Sequence, residues 1–247
     1  MAKKNPKNVE RRAMVEQMRK DQARKERQRS LLILGVCVAL VLGLLVAALI
    51  PYLKDRHKNS QLASKSISKI GASASAASCD DILTKPTDKN QNHLPEGTPI
   101  TYKDAPPSFG PHRPSPAPFG RPFYSASDRP EVATLVHNME HGYTIAWYDE
   151  TAAKDKTEMD DLEAIAKKFQ SQNIAFVAAP WTKDDGAAFP DGKHIALTRW
   201  TADASNPSDE DKQRGNWQYC GSTSGKVIAD FVAKWPHSES PEPNAGM

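Results

Sequence analysis

Residues 31–50, LLILGVCVALVLGLLVAALI, form twenty consecutive positions without a charge in a chain whose mean hydropathy is −0.62. As a helix this run spans about 30 Å, the thickness of a bilayer's hydrocarbon core. Leaving that much apolar surface in water is costly, and the run is longer than the apolar part of a cleaved signal. It predicts an uncleaved transmembrane helix over 31–53. Residues 1–30 before it are polar and charged throughout. Residues 54–78 after it, KDRHKNSQLASKSISKIGASASAAS, hold few large apolar groups and read as a stalk.

A globular domain is expected over 79–235. It opens irregularly, because residues 94–130 contain ten prolines. Proline removes a backbone donor and fixes φ, so neither a helix nor a central strand is expected there. Regular periodicity follows. EVATLVHNMEH fits a short helix ended by Gly142 or a strand running into a turn, and YTIAWYDE alternates as a strand. TEMDDLEAIAKKFQSQN places Met159, Leu162, Ile165, Ala166 and Phe169 on one helical stripe, with acids early and lysines late. IAFVAAP and HIALTRW read as strands, and GKVIADFVAKW as a last helix with Val227, Ile228, Phe231, Val232 and Trp235 inward. The order predicts an α+β, or small α/β layered, domain with the proline-rich segment laid across it. PHSESPEPNAGM, 236–247, reads as a disordered C-terminus.

Charge changes the picture by its distribution. The first thirty residues hold eleven Lys/Arg against four acids, +7, so with +3 overall the remainder carries −4. The body has no basic excess, and no nucleic-acid partner is expected. The basic residues before the apolar run outnumber Lys54, Arg56, Lys58 and Lys65 after it, which predicts a cytoplasmic N-terminus. The expected arrangement is a single-pass protein of the cell membrane with an extracytoplasmic domain, and anionic lipid is the expected partner of the tail. Cys37 falls in the apolar run. Cys79 and Cys220 bracket the domain, where an oxidising compartment favours a disulfide between them.

The candidate chemistry lies in HNMEHG, 137–142. On a helix His137 and His141 share a face about 6 Å apart and can chelate one ion; on a strand they stand roughly 13 Å apart and cannot. His112, held between Pro111 and Pro114, is the expected third ligand. Met139 adds a thioether attractive to Cu(I), while Asn138 and Glu140 are expected to orient the imidazoles. Copper or zinc is the implied ion. The spacing also matches H-x-x-E-H, in which Glu140 would activate water as a hydrolase base, although Gly142 stops the long helix such enzymes use. A plainer reading has His137, Asn138 and His141 hydrogen-bonding the carbonyls of the proline-rich segment. No phosphate-binding loop, G-x-S-x-G elbow or CxxC is present.

PPSFGPHRPSP followed by LVHNMEHGYTIAWYDE resembles an actinobacterial family of membrane-anchored extracytoplasmic domains of unknown function. That family pairs P-P-x-S-G-P-H with V-H-N-x-E-H-G, and Phe109 stands here where a serine is usual. The resemblance covers roughly 90–235 and implies His112, His137, Asn138, Glu140, His141 and Gly142 as its distinctive positions, without implying an activity. The function expected from the sequence is therefore non-catalytic transition-metal binding outside the membrane. An accessory subunit of a cell-envelope or respiratory membrane complex, with structural histidines, is the alternative, and a hydrolase using Glu140 the third.

Overall fold

The computed structural model of the chain describes residues 6–244, which divide into two units, residues up to 58 and residues from 59 onward. The first unit is helical. It consists of most of α1 (Pro6–Ser64), a helix that runs without interruption through the apolar stretch and through Pro51. The apolar side chains of 31–50 are all exposed, and the helix is long and apolar enough to cross a membrane.

The second unit contains α1's last turn and an α+β domain. Its elements are β1 (Leu83–Pro86), α2 (Val132–Glu140), β2 (Thr144–Tyr148), α3 (Glu150–Lys154), α4 (Lys156–Ser171), β3 (Phe176–Pro180), β4 (Ile195–Thr201), β5 (Arg214–Cys220) and α5 (Gly225–Lys234). The sheet order is β1-β5-β4-β2-β3, with β2 and β3 parallel across the α3–α4 connection and the other pairs antiparallel. β1 and β5 go beyond the expected strands. Neither has an apolar run to announce it: LTKP is four residues with mostly exposed side chains, and RGNWQYC mixes polar and aromatic positions.

Side-chain alternation builds two cores from one sheet. Ala146, Tyr148, Phe176, Ala178, Ile195 and Leu197 face α4 and α5, where Leu162, Ile165, Phe169, Ile228 and Phe231 are buried. Ile145, Trp147, Val177, Ala179, Ala196 and Trp200 face the opposite way, toward Leu135, Val136 and Met139 of α2. Burial on both faces explains why the central strands read as nearly continuous apolar runs. Asp155 starts α4 by accepting hydrogen bonds from the amides of Thr157 and Glu158. The proline-rich segment lies on the α2 side and also covers the β3 edge. There the Tyr124 amide donates to Ala178 O (2.9 Å) and the Ala178 amide to Pro122 O (2.8 Å), removing an open sheet edge.

Two segments expected to be loose are packed. In the supposed stalk, Leu62, Ile70 and Ala77 are buried. The Gly225 amide bonds Ile70 O (2.9 Å), and a Cβ at Gly225 would stand 1.9 Å from Ile67 O, so only glycine permits this approach. Composition hid the contact, because a few well-placed apolar residues among serines suffice to dock a short strap. The C-terminal segment expected to be disordered also folds back over 236–244. Ser240 is buried, the Ala202 amide donates to Glu239 O (3.1 Å), and the Glu242 amide donates to Glu140 O (3.0 Å). Residues 245–247 lie outside the described part. Cys79 and Cys220 form a disulfide that ties the strap's end to β5.

Candidate metal centre

HNMEHG is the end of a helix and the turn that follows it. α2 stops at Glu140, with Gly142 at φ +80°, a left-handed conformation that suits glycine. The Tyr143 amide bonds Asn138 O and the Gly142 amide bonds Met139 O, both at 3.0 Å. This pairing satisfies the last carbonyls of the helix and turns the chain directly into β2. His137, Glu140 and His141 consequently share one helical face, at spacings of three and four residues.

The proline-rich segment delivers the partners. The His112 amide donates to Asn92 O (3.0 Å), and the Leu94 amide to His112 O (2.7 Å), so His93 and His112 are held side by side. Arg113 reinforces the arrangement. Its guanidinium bonds the carboxylate of Glu131 (2.5 Å) at the start of α2 and the carbonyls of Pro95 (2.7 Å) and Thr98 (3.0 Å), fixing the loop beyond His93. The Glu131 contact raises the Arg113 pKa, so its charge is secure.

Ligating atoms of His93, His112, His137 and Glu140 lie within 4.8 Å of one another, as do those of Glu140, His141 and Glu242. His112, His137, Glu140 and His141 are buried, while His93 and Glu242 stand at the rim. Imidazole nitrogens and a carboxylate at such spacing are able to hold a metal ion. A cleft of about 430 Å³ beside Tyr102, Gly110 and Pro111 is lined by none of these side chains.

The tautomers sharpen the geometry. His112 Nδ1 lies 2.8 Å from Gly110 O, His137 Nδ1 2.5 Å from Arg113 O, and His141 Nδ1 3.4 Å from the Glu242 carbonyl. Carbonyls only accept, so these contacts place the proton on Nδ1, firmly in the first two rings, and leave Nε2 as a lone pair. The lone pairs then meet acceptors. His137 Nε2 faces His141 Nε2 at 2.7 Å, and His112 Nε2 faces Glu140 Oε2 at 2.9 Å. The latter distance would allow an ion pair, yet the ring's N–H direction misses the oxygen, and the buried Oε2 has no hydrogen-bond partner. His93 Nε2 stands 3.2 Å from His112 Nε2 and 3.6 Å from Glu140 Oε2, so a proton on it faces both groups. Burial pulls the His137 pKa down to about 4, and the neighbouring rings of His112 and His141 add to the effect. The ring is therefore neutral at neutral pH.

The expected ligands His112, His137 and His141 are all present around Glu140, but they divide between the two groups. Met139 is not among them. Its side chain is fully buried in the α2-side core, where Sδ accepts from the Thr198 hydroxyl at 3.2 Å. Position i+2 on a helix points away from the face used by His137 and His141. Asn138 also turns elsewhere. Its amide donates to Ala117 O (3.0 Å) and its carbonyl accepts from the Ala117 amide (2.9 Å), which clamps the proline-rich segment and orients no imidazole. The orienting role expected of Asn138 and Glu140 is filled by backbone carbonyls, and Glu140 belongs among the ligating groups. His93 was not expected there. It precedes the proline run by two residues, and only the backbone pairing with His112 brings it in. His194 is remote in role, its Nδ1 bonding Asp149 (2.9 Å).

Behind the helix end sits Arg199, buried, donating to Gly142 O (2.8 Å) and to Pro236 O (3.0 Å). Burial lowers its pKa to about 10, so it remains charged at neutral pH while joining the turn to the C-terminal segment.

No curated protein and no solved structure matches the chain. Residues 9–61, within α1, are similar to an inhibitor of host cell division protein domain (Gp56). Residues 93–246, from the first rim histidine past Glu242, match a family described as a protein of unknown function, and the chain belongs to that family, DUF3105.

Proposed function

We propose that this chain is a single-pass, membrane-anchored protein whose histidine-rich domain binds a transition metal outside the membrane, without catalysing a reaction. The observation that carries the reading is Glu140 Oε2, buried, accepting no hydrogen bond, and standing 2.9 Å from His112 Nε2 and 3.6 Å from His93 Nε2. A buried carboxylate oxygen that accepts no hydrogen bond costs several kcal/mol in order of magnitude. A cation between these groups turns the cost into coordination, and backbone carbonyls on the Nδ1 side orient the rings as metal-binding histidines require. With Met139 turned into the core, the donors are imidazole and carboxylate, a set that suits zinc or Cu(II) better than Cu(I). Glu140 lies among the ligands, which argues against its serving as a free general base in a hydrolase. The basic excess before the apolar helix and the Cys79–Cys220 disulfide support a cytoplasmic N-terminus and an extracytoplasmic domain.

Metal analysis tests the reading. The full chain, purified in detergent, is stripped with chelator, reloaded with Zn2+ or Cu2+, and desalted. Retained metal is expected in the wild type and a loss of at least tenfold in His112→Ala/His137→Ala. Equal metal in the two proteins, both folded by circular dichroism, would remove the proposal.

A further inference from the structure

The ligating side chains fall into two sets that share a single member. His93, His112 and His137 gather with Glu140 in one, and His141 and Glu242 gather with Glu140 in the other. Ligands of one zinc-like ion sit about 2.0–2.2 Å from it, so two of them stand no more than roughly 4.4 Å apart. The ligating atoms of the first set lie within 4.8 Å of one another, close to that range, and His141 and Glu242 fall outside the set. A single ion therefore does not collect all six side chains. Glu140 has what two ions need from a common ligand: a carboxylate with two oxygens, buried between the sets, one of them without a hydrogen bond.

We propose that the centre is built for two ions, the second held by Glu140, His141 and Glu242, with the Glu140 carboxylate shared. This rests on the metal reading above. Two features support the second position independently. The C-terminal segment is fastened over the hexapeptide by its own contacts, the Glu242 amide to Glu140 O (3.0 Å) and Pro236 O to Arg199 (3.0 Å), so Glu242 arrives in place without needing the ion. The Glu242 carboxylate lies 3.7 Å from His141 Nδ1, the nitrogen that would serve the second ion once its long contact with the Glu242 carbonyl (3.4 Å) is given up.

The two positions differ in chemistry. Three imidazoles and one carboxylate make the first a site for zinc or copper, whereas one imidazole and two carboxylates make the second a harder site, suited to zinc or manganese. Glu242 is half exposed, so the second ion exchanges with solvent more readily and binds more weakly. The shared Glu140 carboxylate offsets the repulsion between the ions, since two cations about 4 Å apart repel strongly without an anion between them.

The test is a stoichiometric titration of the chelator-stripped full chain in detergent with Zn2+ alone, read by calorimetry and by elemental analysis after desalting. Wild type is expected to take two ions, one tight and one weaker by at least tenfold, and Glu242→Gln one, the tight one. His141→Ala should also reduce the count to one. A count of one in wild type, unchanged in Glu242→Gln, overturns the second site and leaves the metal reading intact. Two ions in both proteins remove Glu242 from the proposal and overturn the site as drawn. Zero in every protein overturns both readings.

Discussion

His137 and His141 point their Nε2 atoms at each other across 2.7 Å while the Nδ1 atom of each faces a main-chain carbonyl. Two neutral rings in these tautomers present lone pair to lone pair, which is repulsive at that distance. A proton relieves this contact if His141 gives up its long bond to the Glu242 carbonyl. It leaves Glu140 Oε2, beside His112 Nε2 at 2.9 Å, still without a hydrogen bond, so the buried cluster as a whole calls for positive charge. Main-chain carbonyls enforce this polarity because they cannot donate.

Asn138 stands one residue from a ligand and serves a different purpose. Its amide exchanges two hydrogen bonds with Ala117, both buried. Asn138→Ala removes both and leaves the Ala117 amide and carbonyl unsatisfied, a cost of about 2–4 kcal/mol. Urea denaturation should show that loss, with the metal capacity of the folded protein retained. A variant as stable as wild type would mean that the proline-rich segment is held by other contacts.

Legibility followed the physics of each segment. The apolar helix, α4 and α5, and the strands β2, β3 and β4 were readable because burial leaves a period or an apolar run in the sequence. β1 and β5 were not, since a four-residue edge strand and a polar-aromatic one leave no clean alternation. Within the site, the helical option for HNMEHG brought His137 and His141 to one face, and the same geometry should have excluded Met139. His93 and Glu242 had no local signal. Each arrives through backbone pairing with a residue far away in sequence, His93 through His112 and Glu242 through Glu140, and an unaligned sequence does not display such pairings.

Acid should destabilise the metal-free domain through His137. Burial is the main cause of its lowered pKa, about 4 when folded against the ordinary 6.5. The unfolded chain therefore binds a proton near pH 6.5 that the folded chain refuses. Stability contributed by the neutral ring is complete above pH 6.5 and is lost as pH falls toward 4, by on the order of 2–3 kcal/mol. Denaturation midpoints of stripped protein at pH 7.5 and 4.5 measure it. The His137→Gln variant should show a shallower decline, and an identical decline would place the acid sensitivity elsewhere.

Reduction of Cys79–Cys220 should loosen the domain without emptying the centre. The bond closes a loop with a sequence separation of 141, worth about 5 kcal/mol in the chain-entropy picture. It joins the strap to β5, and neither cysteine is among the ligating residues. Thermal melts with and without a phosphine reductant should differ by roughly 10 °C or more, while retained zinc below the melt stays constant. Loss of zinc at a temperature where the reduced domain is still folded would contradict this separation.

Gly142 links the two halves of the proposed centre, and its substitution should separate them. At φ +80° an alanine is strained, and its Cβ would stand 2.7 Å from His237 Nδ1 and 3.1 Å from Ser240 Oγ. The strain itself costs about 1–2 kcal/mol. The steric conflict falls on the C-terminal segment, which must shift away from the helix end and take Glu242 with it. His93, His112 and His137 are positioned by the proline-rich segment and by the body of α2, upstream of the turn. Gly142→Ala should therefore weaken the second zinc-binding step at least tenfold in a titration and leave the first within about twofold. Limited proteolysis should cut the variant near 236–244 faster than wild type. If both binding steps weaken together, the turn supports the whole cluster, and the C-terminal segment has no separate part in it.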